Sequence, residues 1–161
     1  MDYQHLSTLL WREQELLDLL LFKAEEKQYL IISGKNRWLP RIAHEIEVVL
    51  DQMRTLEVER GAVTEVIATN LGLEPNPSLR TIAEHAAAPW NDLLVGHHET
   101  LLGLVTELRG LSDANRELIT SGLAAIDEAL LSVRPDEAKT YTAAGRTAGR
   151  SHRSVTLDGA M

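Results

Sequence analysis

The chain has 161 residues, of which 44% are hydrophobic and only 4% aromatic, and it carries a net charge of −8 and no cysteine. This length is enough for one domain with a hydrophobic core, and the aliphatic, charged, aromatic-poor composition favours helical packing over a sandwich or barrel. Disulfides and thiolate zinc sites are excluded, and the negative charge argues against nucleic-acid binding. No apolar run is long enough to cross a membrane and the start is acidic and polar, so we expect neither membrane insertion nor a signal peptide.

The first predicted helix covers about residues 3–33. Leucines recur along one side of it, at Leu6, Leu10, Leu17 and Leu20, with charged residues facing outward between them. Gly34 is the expected end of this helix, because glycine readily adopts the left-handed conformation that closes a helix.

The second predicted helix covers about residues 37–70 and has the most regular apolar pattern in the chain. Its apolar side chains follow the heptad spacing of a helix packed along other helices. They are Leu39, Ile42, Ile46, Val49, Met53, Leu56, Val63 and Ile67. Arg60 interrupts this series, and two interpretations stay open. Either its stem packs while its head reaches water, which we favour, or it is a buried charge that fixes the register of the helices.

The longest predicted helix covers about residues 89–134, after a loop and a short helix at 78–86 for which Ser78 is the expected N-cap. Its first half follows a heptad line: Trp90, Leu94, His97, Leu101, Leu104, Leu108, Leu111 and Leu118. The apolar set then moves to a rotated line with the same spacing: Ile119, Leu123, Ile126, Leu130 and Val133. We expect the first half of this helix to hold the fold and the second half to hold a partner.

Two features of the long helix allow more than one interpretation. The rotated line is equally compatible with a cover formed by the first two helices or by a second copy of the chain. In addition, Gly96, Gly103 and Gly110 are spaced by seven, and each costs a helix about 1 kcal/mol relative to alanine. Either another helix approaches closely along this glycine line, which we favour, or the helix is soft there.

Residues 135–161 have no helical or strand period and are rich in small and polar residues. Such a segment cannot bury enough apolar surface to offset the entropy of ordering, so the sequence predicts a flexible, disordered C-terminal tail. Residues 1–134 carry a net charge of −9 and the tail carries +1. The predicted fold is all-α: an elongated antiparallel three-helix bundle or coiled coil over residues 1–134, followed by the tail.

Motifs for catalysis or metal binding are not found in the sequence. None of the six histidines has a glutamate three residues before it, which is the arrangement of di-iron bundles. Nucleophile elbows, P-loops and dinucleotide fingerprints are also missing. A histidine phosphotransfer bundle is a further alternative, but acidic residues follow His44 and His98 and would repel a phosphoryl group. We therefore predict a protein that is not an enzyme and uses no metal or other cofactor.

Several segments near the C-terminus form a distinctive pattern. They are Asn115-Arg116-Glu117-Leu118-Ile119, Ser121-Gly122-Leu123-Ala124-Ala125-Ile126-Asp127, Leu130-Leu131, Thr140-Tyr141 and Gly145. This pattern resembles the end of the FlgN family of flagellar export chaperones, and the preceding order of helices and breaks fits as well. The resemblance covers about residues 5–145, and about sixteen residues follow it.

The resemblance implies a cytoplasmic, non-enzymatic bacterial chaperone of type III flagellar export. Such proteins bind the helical C-terminal region of hook-associated (hook–filament junction) proteins, prevent their premature assembly and deliver them to the export gate. The client-binding residues would be Ile119, Leu123, Ile126, Leu130, Val133 and Tyr141. We expect a monomer or weak homodimer, and the main alternative is a structural coiled-coil homodimer or adaptor scaffold.

Removal of residues 146–161 is expected to change the melting temperature by less than about 2 °C, because a tail that buries little apolar surface contributes little to stability. Circular dichroism at 222 nm during heating of the full chain and of the truncated chain measures this. A loss of many degrees would mean that these residues are docked on the rest of the protein.

Overall fold

The computed structural model describes residues 2–133, except for the side chain of Val133. It contains helices α1 (Tyr3–Ile32), α2 (Leu39–Leu71), α3 (Leu79–His85) and α4 (Trp90–Val133), with a 3₁₀ turn at Asn36–Trp38. No strand occurs among these residues, and the all-α prediction is confirmed. The chain divides into two compact units, one up to Leu118 and one from Ile119 onward.

Helices α1 and α2 are both followed by a glycine in the left-handed conformation. Gly34 and Gly72 each have a φ of 69°. After α2, the amide of Leu73 donates back to the carbonyl of Ala68 at 2.9 Å, and this bond satisfies one of the carbonyls left free at a helix end. The helix end expected at Gly34 is therefore present, and α2 ends in the same way at Gly72. The expected N-cap of α3 is present too, since the Ser78 hydroxyl accepts a hydrogen bond from the amide of Thr81.

Helix α2 runs antiparallel to α1, and two interhelical ion pairs show this direction. Lys23 Nζ lies 2.7 Å from Glu45 Oε2, and Arg60 Nε lies 3.1 Å from Glu13 Oε2. The residue number on α1 thus falls as the number on α2 rises.

Arg60 and Glu13 are both largely buried between α1 and α2. Their atoms lie within ion-pair distance but are not aligned as a hydrogen bond. Burial raises the pKa of Glu13, and the positive charge of Arg60 opposes that rise. Arg60 is thus an ion-paired charge between the two helices, rather than the head in open water that we favoured from the sequence.

The part of α4 up to Leu118 runs parallel to α1. The rings of Tyr3 and Trp90 stack at 5.8 Å near the start of both helices. Much further along, the side-chain amide of Asn115 donates to the carbonyl of Ala24 at 2.9 Å. Residue numbers rise together on both helices, so α1 and α4 point the same way.

The core of the first unit is almost entirely aliphatic. All four helices contribute to it, and its largest fully buried side chains are Leu6, Leu10, Ile67, Ile82 and Leu94. The apolar lines expected on α1 and α2 supply most of the other buried residues. Leu101, Leu104 and Leu108 of α4 are partly buried against this core.

The interpretation of the α4 glycines as a close-packing line is wrong. A β-carbon added at Gly96, Gly103 or Gly110 would meet no atom of a neighbouring element within 4 Å. At about 100° per residue these positions lie on roughly the opposite side of α4 from Leu94 and Leu101, which face the core. The spacing of seven places the glycines on one side of the helix, and that side is open.

Leu10→Ala is expected to lower the free energy of unfolding by about 2–5 kcal/mol, because Leu10 is fully buried and its loss leaves a cavity. Leu102→Ala removes the same atoms from a side chain that is 58% exposed, and this control should change stability by less than about 0.5 kcal/mol. Urea unfolding followed by circular dichroism measures both. Equal effects of the two substitutions would contradict the core assignment.

Candidate functional site

The last part of α4 carries a line of exposed aliphatic residues. Every described side chain from Ile119 onward is exposed to solvent. Four of them, which we name the α4 strip, are Ile119, Leu123, Ile126 and Leu130. At about 100° and 1.5 Å per residue, the strip falls within roughly 60° of arc and is roughly 17 Å long. The helical position of Val133 continues the same line.

Three members of the strip expose more than half of their surface. The exposed fractions are 59% for Leu123, 55% for Ile126 and 56% for Leu130, whereas Ile119 is less exposed at 36%. A contiguous aliphatic surface of this kind is typical of a protein–protein contact, unlike apolar residues scattered singly. Leu131 is more exposed still, but it lies roughly 100° from Leu130 and was not part of the predicted line.

The side chains of this segment form a mostly apolar surface. Residues 119–133 contain no basic residue and no histidine, and their only carboxylates are those of Asp127 and Glu128. The segment therefore offers apolar contact and mild negative charge. Tyr141, the expected aromatic anchor, lies outside the described residues.

His97, which falls on the heptad line of α4, has a structural role. Its Nδ1 accepts a hydrogen bond from Gln14 Nε2 at 2.8 Å, so its Nε2 carries the proton and donates to Ser7 Oγ at 2.9 Å. The rings of Trp11 and His97 lie nearly perpendicular to each other, with their centroids 5.1 Å apart. Burial lowers the pKa of His97, which is therefore a neutral, fully bonded ring between α1 and α4.

Within residues 2–133, no group of three or more His, Cys, Asp and Glu side chains is placed to hold a metal ion. None of the helices in that range combines the length and apolar character needed to cross a lipid bilayer.

Sequence reasoning missed a second exposed feature, on the outward side of α1. Trp11, Phe22 and Tyr29 are all exposed, and we name these three residues the α1 stripe. Their steps of eleven and seven residues both bring a helix back to nearly the same side, and this spacing was the available signal.

A sequence model of the FlgN family, described as FlgN protein, matches residues 1–149. The chain belongs to the FlgN family. The match includes the whole α4 strip and Tyr141, so the resemblance seen in the C-terminal residues is confirmed. Comparison with curated proteins and with solved structures gave no significant match. Membership of the FlgN family suggests a role as a flagellar export chaperone.

His97 is expected to make this FlgN-family chain less stable as the pH falls. Its pKa is lowered in the folded state, so the unfolded chain binds a proton more readily below the usual histidine pKa of about 6.5. The loss is absent well above that pH and grows on acidification below it. His97→Gln should lower stability by about 1–2 kcal/mol at pH 7.5 through lost hydrogen bonds, but should flatten the further decline towards pH 5.5.

Urea midpoints at pH 7.5 and 5.5 measure this effect, with His98→Gln as the control from the adjacent position. The control should keep the decline of the unmodified chain. An unchanged decline in His97→Gln would show that other groups cause it.

Proposed function

We propose that this chain is a chaperone of flagellar type III export that binds the helical C-terminal region of hook–filament junction proteins and prevents their premature assembly. One observation carries the proposal: a FlgN-family chain whose last helix leaves the α4 strip exposed. The apolar side of an amphipathic client helix, which would aggregate if left bare, is the natural occupant of such a strip. We also propose that the complex is then delivered to the export gate, and that this takes place in the cytoplasm.

The energy available from the strip predicts a modest affinity. Complete burial of a leucine or isoleucine contributes about 1.5–3 kcal/mol, so covering four half-exposed side chains contributes on the order of 4 kcal/mol. Association costs about 4–15 kcal/mol in lost translational and rotational freedom. Specific complexes also bury about 1,200–2,000 Å² of accessible surface, counted over both partners. The strip therefore needs additional contacts to hold a client.

We assign these contacts to the residues after the strip. Val133 continues the apolar line, and Tyr141 supplies a large, stiff side chain of the type that carries much of the energy at interfaces. Binding that depends on ordering this segment is reversible, which suits a chaperone that must release its client.

The proposal also includes the finer architecture expected from the sequence. Residues 1–134 would act as an antiparallel three-helix bundle, and residues 135–161 as a flexible tail that orders on the client. The antiparallel contacts of α1 with α2 and the parallel contacts of α1 with the first part of α4 support this arrangement. The expected oligomeric state is a monomer or a weak homodimer.

Leu123→Glu and Ile126→Glu are each expected to weaken client binding at least about 100-fold, because a carboxylate would be buried against the apolar side of the client. Helicity and melting temperature should stay nearly unchanged, since both side chains are exposed in the free chain. Isothermal titration with the helical C-terminal peptide of a hook–filament junction protein measures binding, and circular dichroism measures folding.

Leu102→Glu is the matched control, because Leu102 is as exposed as Leu123 and lies on the same helix. It should bind the peptide like the unmodified chain. Unfolding of the free protein by Leu123→Glu would place that residue in a core, and undiminished binding would remove the strip from the client surface.

A further inference from the structure

We propose that the outward side of α1 is a second binding surface, on a different helix from the α4 strip, that takes a basic amphipathic helix of another protein. The surface consists of the α1 stripe and the carboxylates between its rings. Nothing in the proposed client-binding role requires it.

The geometry of the stripe fits a helix laid along α1. Trp11, Phe22 and Tyr29 lie within roughly 20° of one another around the helix and span roughly 27 Å along it. Their exposed fractions are 61%, 58% and 66%. A straight line of this length matches about 18 residues of a partner helix, packed at about 8–10 Å between axes.

The placement of these rings is unusual for this chain. The sequence contains only seven Phe, Trp and Tyr residues, and three of them form the stripe, whereas the buried core cluster among the described residues is aliphatic apart from Tyr3. An aromatic side chain buries about 150–250 Å² when it is covered, and aromatic residues are enriched at interfaces. Three exposed rings in one line thus favour a binding role over incidental exposure.

The charges around the rings determine which partner fits. Glu15, Asp18 and Glu25 lie on the same side of α1 and are exposed. Within residues 2–133, none of these three carboxylates forms an ion pair, whereas Glu26 on the edge of this side pairs with Lys23. Unpaired carboxylates between aromatic rings attract lysine and arginine side chains.

The rings themselves already attract cations within the chain. Lys23 Nζ lies 5.5 Å from the centre of the Phe22 ring, and Lys35 Nζ lies 6.0 Å from the centre of the Tyr29 ring. The ring of Trp11 has no such cation among the described residues, and it forms a T-shaped contact with the ring of His97. A basic partner can therefore add a cation–π contact at Trp11 and ion pairs at the carboxylates.

A second copy of the chain fits this surface poorly. Packing two α1 helices against each other would bring the same carboxylates together, in a protein that already carries a net charge of −8. Like charges in contact cost several kcal/mol across an interface. The charge pattern thus favours a foreign, basic helix.

The test uses the full chain and a synthetic 21-residue helix with leucines along one side and lysines on both flanks of that line. Isotope-edited NMR should show amide shifts concentrated at residues 11–29 of α1. Binding measured by titration calorimetry should weaken at least about tenfold between 50 and 300 mM NaCl, because exposed ion pairs are screened. The same peptide with glutamate in place of lysine should not bind.

Two variants locate the surface. Phe22→Ala combined with Tyr29→Ala, and Glu15→Lys combined with Asp18→Lys, should each weaken peptide binding at least about tenfold. The matched controls alter exposed residues of α2 and should leave peptide binding unchanged. Val58→Ala is the control for removal of the rings, and Glu47→Lys combined with Glu59→Lys is the control for reversal of the charges. Leu123→Glu should also keep it, so that failure here and failure of client binding are distinguishable.

Four results would overturn the proposal. The first is that the peptide causes no shifts on α1, and the second is that the α2 controls weaken binding as much as the stripe variants do. The third is a dimer in sedimentation equilibrium that Tyr29→Ala dissociates, which would assign the surface to a second copy. The fourth is that, without peptide, Tyr29→Ala moves the NMR signals of residues 135–161, which would assign the surface to the chain's own C-terminal segment.

Discussion

The register of α4 on α1 depends on two buried polar contacts, one at His97 and one at Asn115. Heptad lines of leucine and isoleucine tolerate a slip of seven residues, because one aliphatic side chain replaces another in the core. A slip would separate His97 from Gln14 and would separate the amide of Asn115 from the carbonyl of Ala24. Each buried polar group left without a partner costs about 1–3 kcal/mol, so the two contacts select one register among several that are nearly equal in apolar burial. That register places Leu94 in the core.

Much of this fold could be predicted because it depends on periodicity within one helix. The spacing of Leu6 and Leu10 shows which side of α1 is buried, and a glycine after a periodic run shows where α1 and α2 end. The polar contacts could not be predicted, since Gln14 and His97 are 83 residues apart and nothing local indicates that they meet. The glycine prediction failed for a related reason. A spacing of seven shows that residues share a side of a helix, but it does not show that another helix covers that side.

The two exposed surfaces differed in how far the sequence could reveal them. The α4 strip is a line of aliphatic residues at heptad spacing, so the same pattern that finds a core also finds the strip. The α1 stripe is interrupted by Glu15, Asp18 and Glu25, and it therefore reads as the polar side of an amphipathic helix. Only the exposed fractions of its rings, set against an aliphatic core, distinguish it from an ordinary solvated side. The prediction that Tyr141 binds the client rests on the family resemblance alone, because no periodic pattern includes this residue.

The surfaces also differ in the physical forces that they offer to a partner. Apolar burial on the α4 strip is barely affected by moderate salt, whereas ion pairs and cation–π contacts on the α1 stripe are screened and need a basic partner. Partners that bind to different residues on different helices would not displace one another directly, so one could be exchanged while the other stays bound. The net charge of −8 serves both surfaces, because it opposes contact between copies of a protein that exposes apolar side chains on two of its helices. The acidic charge thus opposes self-association through either surface, and it would attract the basic partner that we propose for the α1 stripe.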